Sequence, residues 1–137
     1  KNFNKLLKNS KKIYKIETQE GLKNFRSLNN YANHFLIDRG DLSKSISIES
    51  IPIAQRYLFK KKTKKTKIAI ATNFLESMVE KPFPTRAEAN DIYTSLEMGA
   101  NGLVLAGETA IGKYPIECVN FLIKIIKIFK KKKLNFK

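Results

Sequence analysis

The sequence predicts an α/β fold built on parallel strands, and three features of its pattern predict it. Short β-branched or apolar runs alternate with longer amphipathic stretches, the alternation repeats four times, and helix start and stop signals fall between the runs. A length of 137 residues at 42% hydrophobic composition suits one modest core rather than two independent ones.

Taken in order, the leading KNFNKLLKNS (1–10) reads as the tail of a preceding unit's helix. The first strand is expected near 12–17, within KIYKIET, and is followed by the amphipathic EGLKNFRSLNNY at 20–31. The second strand, HFLID at 34–38, leads through a polar loop into a helix over 48–62, whose Ile51, Ala54, Tyr57 and Leu58 recur at helical spacing. The third strand, KIAIAT at 67–72, precedes a helix signalled at its start by Thr85 and Glu88, a capping box, and at its end by Gly99. The fourth, near 102–106, precedes a helix that Pro115 opens. In that last helix Ile116, Val119, Leu122, Ile123 and Ile126 form the expected core-facing stripe.

Four strands leave two apolar edges, at 12–17 and 102–106, that something must cover. An eight-stranded barrel of this class takes about 250 residues, so the stretch would supply about half of one. A dimer of half-barrels and a small open sheet satisfy the same pattern. The sequence opens on Lys1 rather than methionine, which keeps a fragment of a longer chain open.

Composition narrows the function classes. No apolar run reaches the length of about 20 residues that a membrane-spanning helix needs. The lysine-rich start also lacks the apolar centre of a signal peptide. A soluble, cytoplasmic protein with no membrane partner is therefore expected. Cys118, the sole cysteine, excludes an internal disulfide framework and is expected as a small apolar residue on a helix face.

A net charge of +15 would ordinarily suggest an anionic macromolecular partner. Here nearly all the basic residues are lysine, in a chain also rich in isoleucine and asparagine, the pattern of an AT-rich coding bias. The densest lysine runs, at 60–62 and 130–133, fall where helices should end, and lysine there favours the helix dipole. Aromatic residues do not interleave with these runs as on a stacking platform, so nucleic acid is not the expected partner.

In parallel α/β folds ligands sit beyond the carboxyl ends of the strands, and those four ends are where chemistry is expected. The first presents Lys15 and Glu17, two apart and on one side of the strand, which also suits a plain structural ion pair. The second presents Asp38, Arg39, Gly40 and Asp41. A glycine beside a carboxylate lets backbone N–H groups approach an anion while the carboxylate holds a cation, and it also simply makes a good turn. The third offers Thr72 and Asn73, with Glu76 beyond. The Thr72 hydroxyl suits either a substrate carboxylate or a helix cap. The fourth offers Ala106, Gly107, Glu108 and Thr109.

Taken together, Glu17 and Asp41 converge as oxygen ligands for Mg²⁺, with Lys15 as a fixed cation beside it. A lysine and a metal so placed stabilise negative charge on a phosphoryl group in transfer and on an enolate oxygen. The set points to a metal-dependent site for a phosphorylated or carboxylated small molecule.

At these residues the sequence resembles the pyruvate kinase family, whose strand ends carry KIEN-x-EG, ARGDLG, ATQMLESM with a following PTRAE, and LSGETAKG-x-YP. Here they stand as KIETQEG (15–21), DRGDLS (38–43), ATNFLESM (71–78), PTRAE (84–88) and LAGETAIGKYP (105–115), in the same order and spacing. The resemblance implies a (β/α)₈ TIM barrel. It also implies phosphoryl transfer from phosphoenolpyruvate to ADP, giving pyruvate and ATP in glycolysis, with Mg²⁺ as cofactor and K⁺ as a second whose ligands lie outside this stretch.

By the same resemblance Lys15 matches the catalytic lysine that stabilises the transition state, and Glu17 and Asp41 match the Mg²⁺ ligands. Gly40 and Asp41 match backbone contacts to the substrate, and Thr72 matches the contact to its carboxylate end. The family's nucleotide-side residues, lid domain and carboxyl-terminal regulatory domain have no counterpart in residues 1–137. The chain is therefore expected to be half of the barrel domain, partnered by the missing remainder or by a second copy.

Departures from the family pattern are specific. Ala106 stands where the family has a serine on the proton route to the enolate, and Asp38 where it has an alanine beside the substrate phosphate. A carboxylate there repels an anionic ligand. Asn73 and Phe74 replace Gln and Met, Ile111 replaces a lysine, and Ser43 with Lys44 replaces Gly and an apolar residue. These changes motivate an alternative, a catalytically reduced relative that binds metal or carboxylate without turnover. A basic polyanion-binding module is a further one.

Overall fold

The computed structural model describes residues 10–131, so the expected helix tail at 1–9 and the lysines at 132–133 lie outside the described residues. Four strands, β1 (Tyr14–Ile16), β2 (His34–Asp38), β3 (Lys67–Ala71) and β4 (Gly102–Val104), form one parallel sheet in the order β1-β2-β3-β4. The α/β class and the place of all four strands follow the sequence pattern. Three strands are shorter than expected. At the end of β3 the cause is local, because Thr72 adopts φ 71° and leaves the extended region. Register sets the carboxyl ends level, with Lys15 beside Leu36, Asp38 beside Ala71, and Ala71 beside Val104.

Side-chain alternation divides the sheet into two unlike faces. Ile16, Phe35, Ile37, Ile68 and Ile70 are at most 1% exposed and share one core with helix residues. Those come from α1 (Gln19–Leu28), α2 (Arg39–Leu42), α3 (Ile51–Lys61), α4 (Arg86–Glu97) and α6 (Pro115–Lys131). A short α5 (Gly107–Ala110) follows β4. Phe35 anchors this core, with its ring edge-on to Phe25 at 5.0 Å between centroids. The opposite face carries Lys15, Leu36, Asp38, Ala69, Ala71 and Val104, and Val104 is exposed. Among the described residues β1 and β4 each pair on one side only, so the sheet is open.

Helix ends obey the local signals. Thr18 caps α1 by accepting from the Gly21 N–H at 3.1 Å, and Pro115 begins α6. Gly99, at φ 94°, ends the turn after α4 in a conformation other residues rarely adopt. Lys60 and Lys61 close α3, and Lys130 and Lys131 close α6, as the dipole favours. Cys118 is fully buried on α6, where burial and then nearby Glu108 push its thiol pKa up.

The stripe expected on α6 is corrected. Cys118, Leu122 and Ile125 form its buried face, while Ile116, Val119 and Ile123 are exposed. Glu117, Asn120, Lys124, Lys127 and Lys131 form a polar stripe, and the apolar remainder is wider than the part that packs, so periodicity alone does not pick out Cys118, Leu122 and Ile125.

The capping box on α4 is present and does more than cap. Glu88 accepts from the Thr85 N–H at 2.7 Å and also from the Ser77 N–H at 2.8 Å and the Ser77 hydroxyl at 2.6 Å. It thereby ties the 3₁₀ turn Glu76–Val79, which follows β3, to the start of α4. Burial pushes its pKa up, but the hydrogen bonds from Ser77 and Thr85 outweigh burial and hold it below its ordinary 4.5. A carboxyl depressed on folding contributes stability above its unfolded pKa and loses it as pH falls toward the folded value. Thermal unfolding midpoints measured between about pH 3 and pH 6 should therefore fall on acidification less in E88Q than in the parent. Equal slopes in the two proteins would contradict this assignment.

Candidate active site

The level strand ends bring the predicted residues together. Lys15 projects from β1 and Glu17 stands just beyond its end, with the Lys15 Nζ 2.7 Å from Glu17 Oε2. Asp38 ends β2 and places Oδ2 3.0 Å from the same nitrogen, and Asp41, from the first turn of α2, places Oδ2 at 3.3 Å. Lys44 reaches Asp41 Oδ1 at 2.8 Å. One ammonium thus sits at the focus of three carboxylates and a second lies at the rim. Glu17 first, then Asp38 and Asp41, hold Lys15 well above its ordinary range. Lys44 first, then Lys15, holds the Asp41 carboxyl below the usual range.

Gly40 and Thr72 meet across the next strand end. The Gly40 N–H donates to the Thr72 hydroxyl oxygen at 2.8 Å, and that hydroxyl donates to the Ala71 carbonyl at 2.6 Å. A Cβ on residue 40 would lie 3.4 Å from Thr72 Oγ1 and 3.6 Å from Asp38 Oδ1, ordinary contact distances, so this approach does not by itself demand glycine. Thr72 caps no helix. The Asp41 N–H donates to Asp38 Oδ1 at 3.2 Å. Both amides that the resemblance directs at substrate therefore have internal partners. Thr72 and Asn73 stand at φ 71° and 57°, and for a β-branched threonine this is a strained backbone.

Two residues central to this geometry stand at the strand ends with no role assigned to them by the sequence. Arg39 is buried beneath the site. Its Nε and Nη2 donate to the Thr72 carbonyl at 3.1 and 2.5 Å, its Nη1 pairs with Asp91 at 2.6 Å, and its guanidinium lies 4.3 Å from the Phe74 ring centroid. It therefore braces the strained Thr72 from below. Glu108, 2% exposed, accepts from the Leu75 N–H at 3.3 Å and the Ala106 N–H at 2.8 Å, tying the third strand end to the fourth. Both residues lie inside the quoted motifs, but no local rule joins Arg39 to a carboxylate 52 positions away.

The carboxylates suit a hard divalent cation. Glu17, Asp38 and Asp41 each place an oxygen within 4.8 Å of the others. Octahedral Mg²⁺ with bonds of about 2.1 Å sets neighbouring ligand oxygens about 3 Å apart, so the carboxylates would close in and the Lys15 ammonium now bridging them would shift aside.

The family model described as pyruvate kinase, barrel domain, matches residues 3–119. The chain is 43% identical over 117 residues to a pyruvate kinase of Methanocaldococcus jannaschii, covering 85% of this chain and 26% of that protein. It is 41% identical over 121 residues to a pyruvate kinase of Thermotoga maritima, covering 88% of this chain and 26% of that protein. A plastidial pyruvate kinase 3 of Arabidopsis thaliana, named chloroplastic, is 38% identical over 111 residues, which are 80% of this chain and 19% of that protein. The chain spans about a quarter of the length of the curated relatives it matches. With strand-end motifs, parallel sheet and family match in agreement, this chain belongs to the pyruvate kinase family.

Proposed function

We propose that the chain supplies the Mg²⁺ and phosphoenolpyruvate half of a pyruvate kinase active site, transferring a phosphoryl group to ADP and releasing pyruvate. The observation that carries the reading is the Lys15 ammonium held among Glu17 and Asp41 at level strand ends. In this reading Glu17 and Asp41 hold Mg²⁺, and the Gly40 and Asp41 backbone with the Thr72 hydroxyl orient the carboxylate end of phosphoenolpyruvate. Bound Mg²⁺ supplies Lewis-acid neutralisation of phosphoryl and enolate oxygens. The Lys15 ammonium stabilises the charge that grows on the phosphoryl group and on the departing enolate oxygen. The proton that completes pyruvate comes from a group other than residue 106, whose methyl has none to give.

The nucleotide half, with any K⁺ site, lies outside this chain in our reading. The chain is half of a (β/α)₈ barrel domain, and the remaining strands cover the edges of β1 and β4. The single helix-covered face of the sheet supports this, since the bare face with Lys15, Leu36 and Val104 is then the barrel interior. Cytoplasmic glycolysis is the proposed setting, by likeness to the archaeal and bacterial relatives.

The test is ATP formation by the full-length product that carries these residues, with phosphoenolpyruvate, ADP and Mg²⁺. ATP that appears only when all three are present is the expected result. A verified, folded full-length product that forms none would overturn the proposal.

A further inference from the structure

The Asp38 side chain does something that charge repulsion alone does not describe. Its carboxylate is the most enclosed of the three around Lys15, with the side chain 14% exposed against 39% for Glu17 and 41% for Asp41. One oxygen lies on the Lys15 ammonium at 3.0 Å and the other accepts the Asp41 N–H at 3.2 Å. An ammonium and a backbone N–H are the donors that would receive an anionic substrate group, and one carboxylate bridges both. It is itself a small planar anion, attached to the chain at the end of β2.

We propose that Asp38 is a tethered occupant of the anion position, a specificity-setting residue that phosphoenolpyruvate must displace from Lys15 and from the Asp41 amide. This rests on the reading of the site as one for phosphoenolpyruvate. Two ammonium groups, Lys15 and Lys44, face three carboxylates here, so the cluster has one negative charge in excess. With alanine at 38 the same cluster would be neutral, the Asp41 N–H would be open, and Lys15 would keep Glu17 and Asp41 but lose its most enclosed anion. Arg39 does not restore the balance, because its guanidinium is directed at Asp91 and the Thr72 carbonyl. The competition is intramolecular and acts at every substrate concentration, so it weakens affinity without blocking entry. Selectivity then shifts toward ligands able to replace a carboxylate at both donors at once.

The test is calorimetric titration of phosphoenolpyruvate into the full-length product in excess Mg²⁺, for the parent, D38N, D38A and D38E. D38N keeps an oxygen acceptor for the Asp41 amide and removes the charge, so its fold is retained. D38N and D38A are expected to bind about tenfold more tightly than the parent, equivalent to about 1.4 kcal/mol. D38E is expected to stay weak, because it keeps the anion. A parent that binds phosphoenolpyruvate with no gain in D38N overturns the role of Asp38 and leaves the site reading standing. Absence of binding in all four folded proteins overturns both. Binding by D38N where the parent shows none supports both.

Discussion

Lys15→Met in the full-length product is expected to lower kcat by about two to three orders of magnitude with little change in the far-ultraviolet circular dichroism spectrum. The size is that of removing one preorganised electrostatic stabiliser from a transition state in which charge moves. Methionine fills the same unbranched volume, so the loss reports the ammonium and not a cavity. Lys15 is also half-exposed and outside the core, which is why the fold should persist. Its removal leaves Glu17, Asp38 and Asp41 without their shared cation. Mg²⁺ affinity measured separately should therefore stay the same or rise, since of the two ammonium groups only Lys44, at Asp41, then remains to neutralise the three carboxylates beside the metal. A folded variant with unchanged kcat would remove Lys15 from the mechanism.

Arg39→Ala is expected to cost about 3 kcal/mol of folding stability and to raise the KM for phosphoenolpyruvate. Four interactions disappear together: two hydrogen bonds to the Thr72 carbonyl, the pair with Asp91 and the contact over Phe74. Asp91 is about one-third exposed, so water takes over part of its charge and the penalty stays below that of a fully buried broken pair. Phe74 is fully buried and faces a void where the guanidinium was. Thr72, no longer braced at its carbonyl, can relax out of its left-handed conformation and carry its hydroxyl away from Gly40. A shifted urea midpoint with an unchanged m-value, together with the KM change, checks both halves. A stability loss below about 1 kcal/mol would contradict the bracing role.

Asp38 separates what was legible in the sequence from what was not. Its departure from the family's alanine and its negative charge could be read directly, and repulsion of anions followed. That one of its oxygens reaches Lys15 required the register of β1 against β2, which pairs residues 21 positions apart and so brings Asp38 near Lys15, whereas its contact with the Asp41 amide is a local cap. Arg39 and Glu108 make the same point, because each acts on chain segments 33 or more positions away.

By itself the sequence determined the α/β class, the order and place of the four strands, the Thr85–Glu88 capping box, the Gly99 turn and the identity of the strand-end motifs. These rest on propensity, steric demand and spacing along a few consecutive residues, which act the same wherever the segment lies. The tertiary structure alone decided which part of the apolar side of α6 is buried, the bracing of Thr72 by Arg39, and the entry of Asp38 into the ion-pair network of Lys15, Glu17 and Asp41. Those outcomes depend on strand register and on the direction of loops between distant segments, and no local rule encodes either.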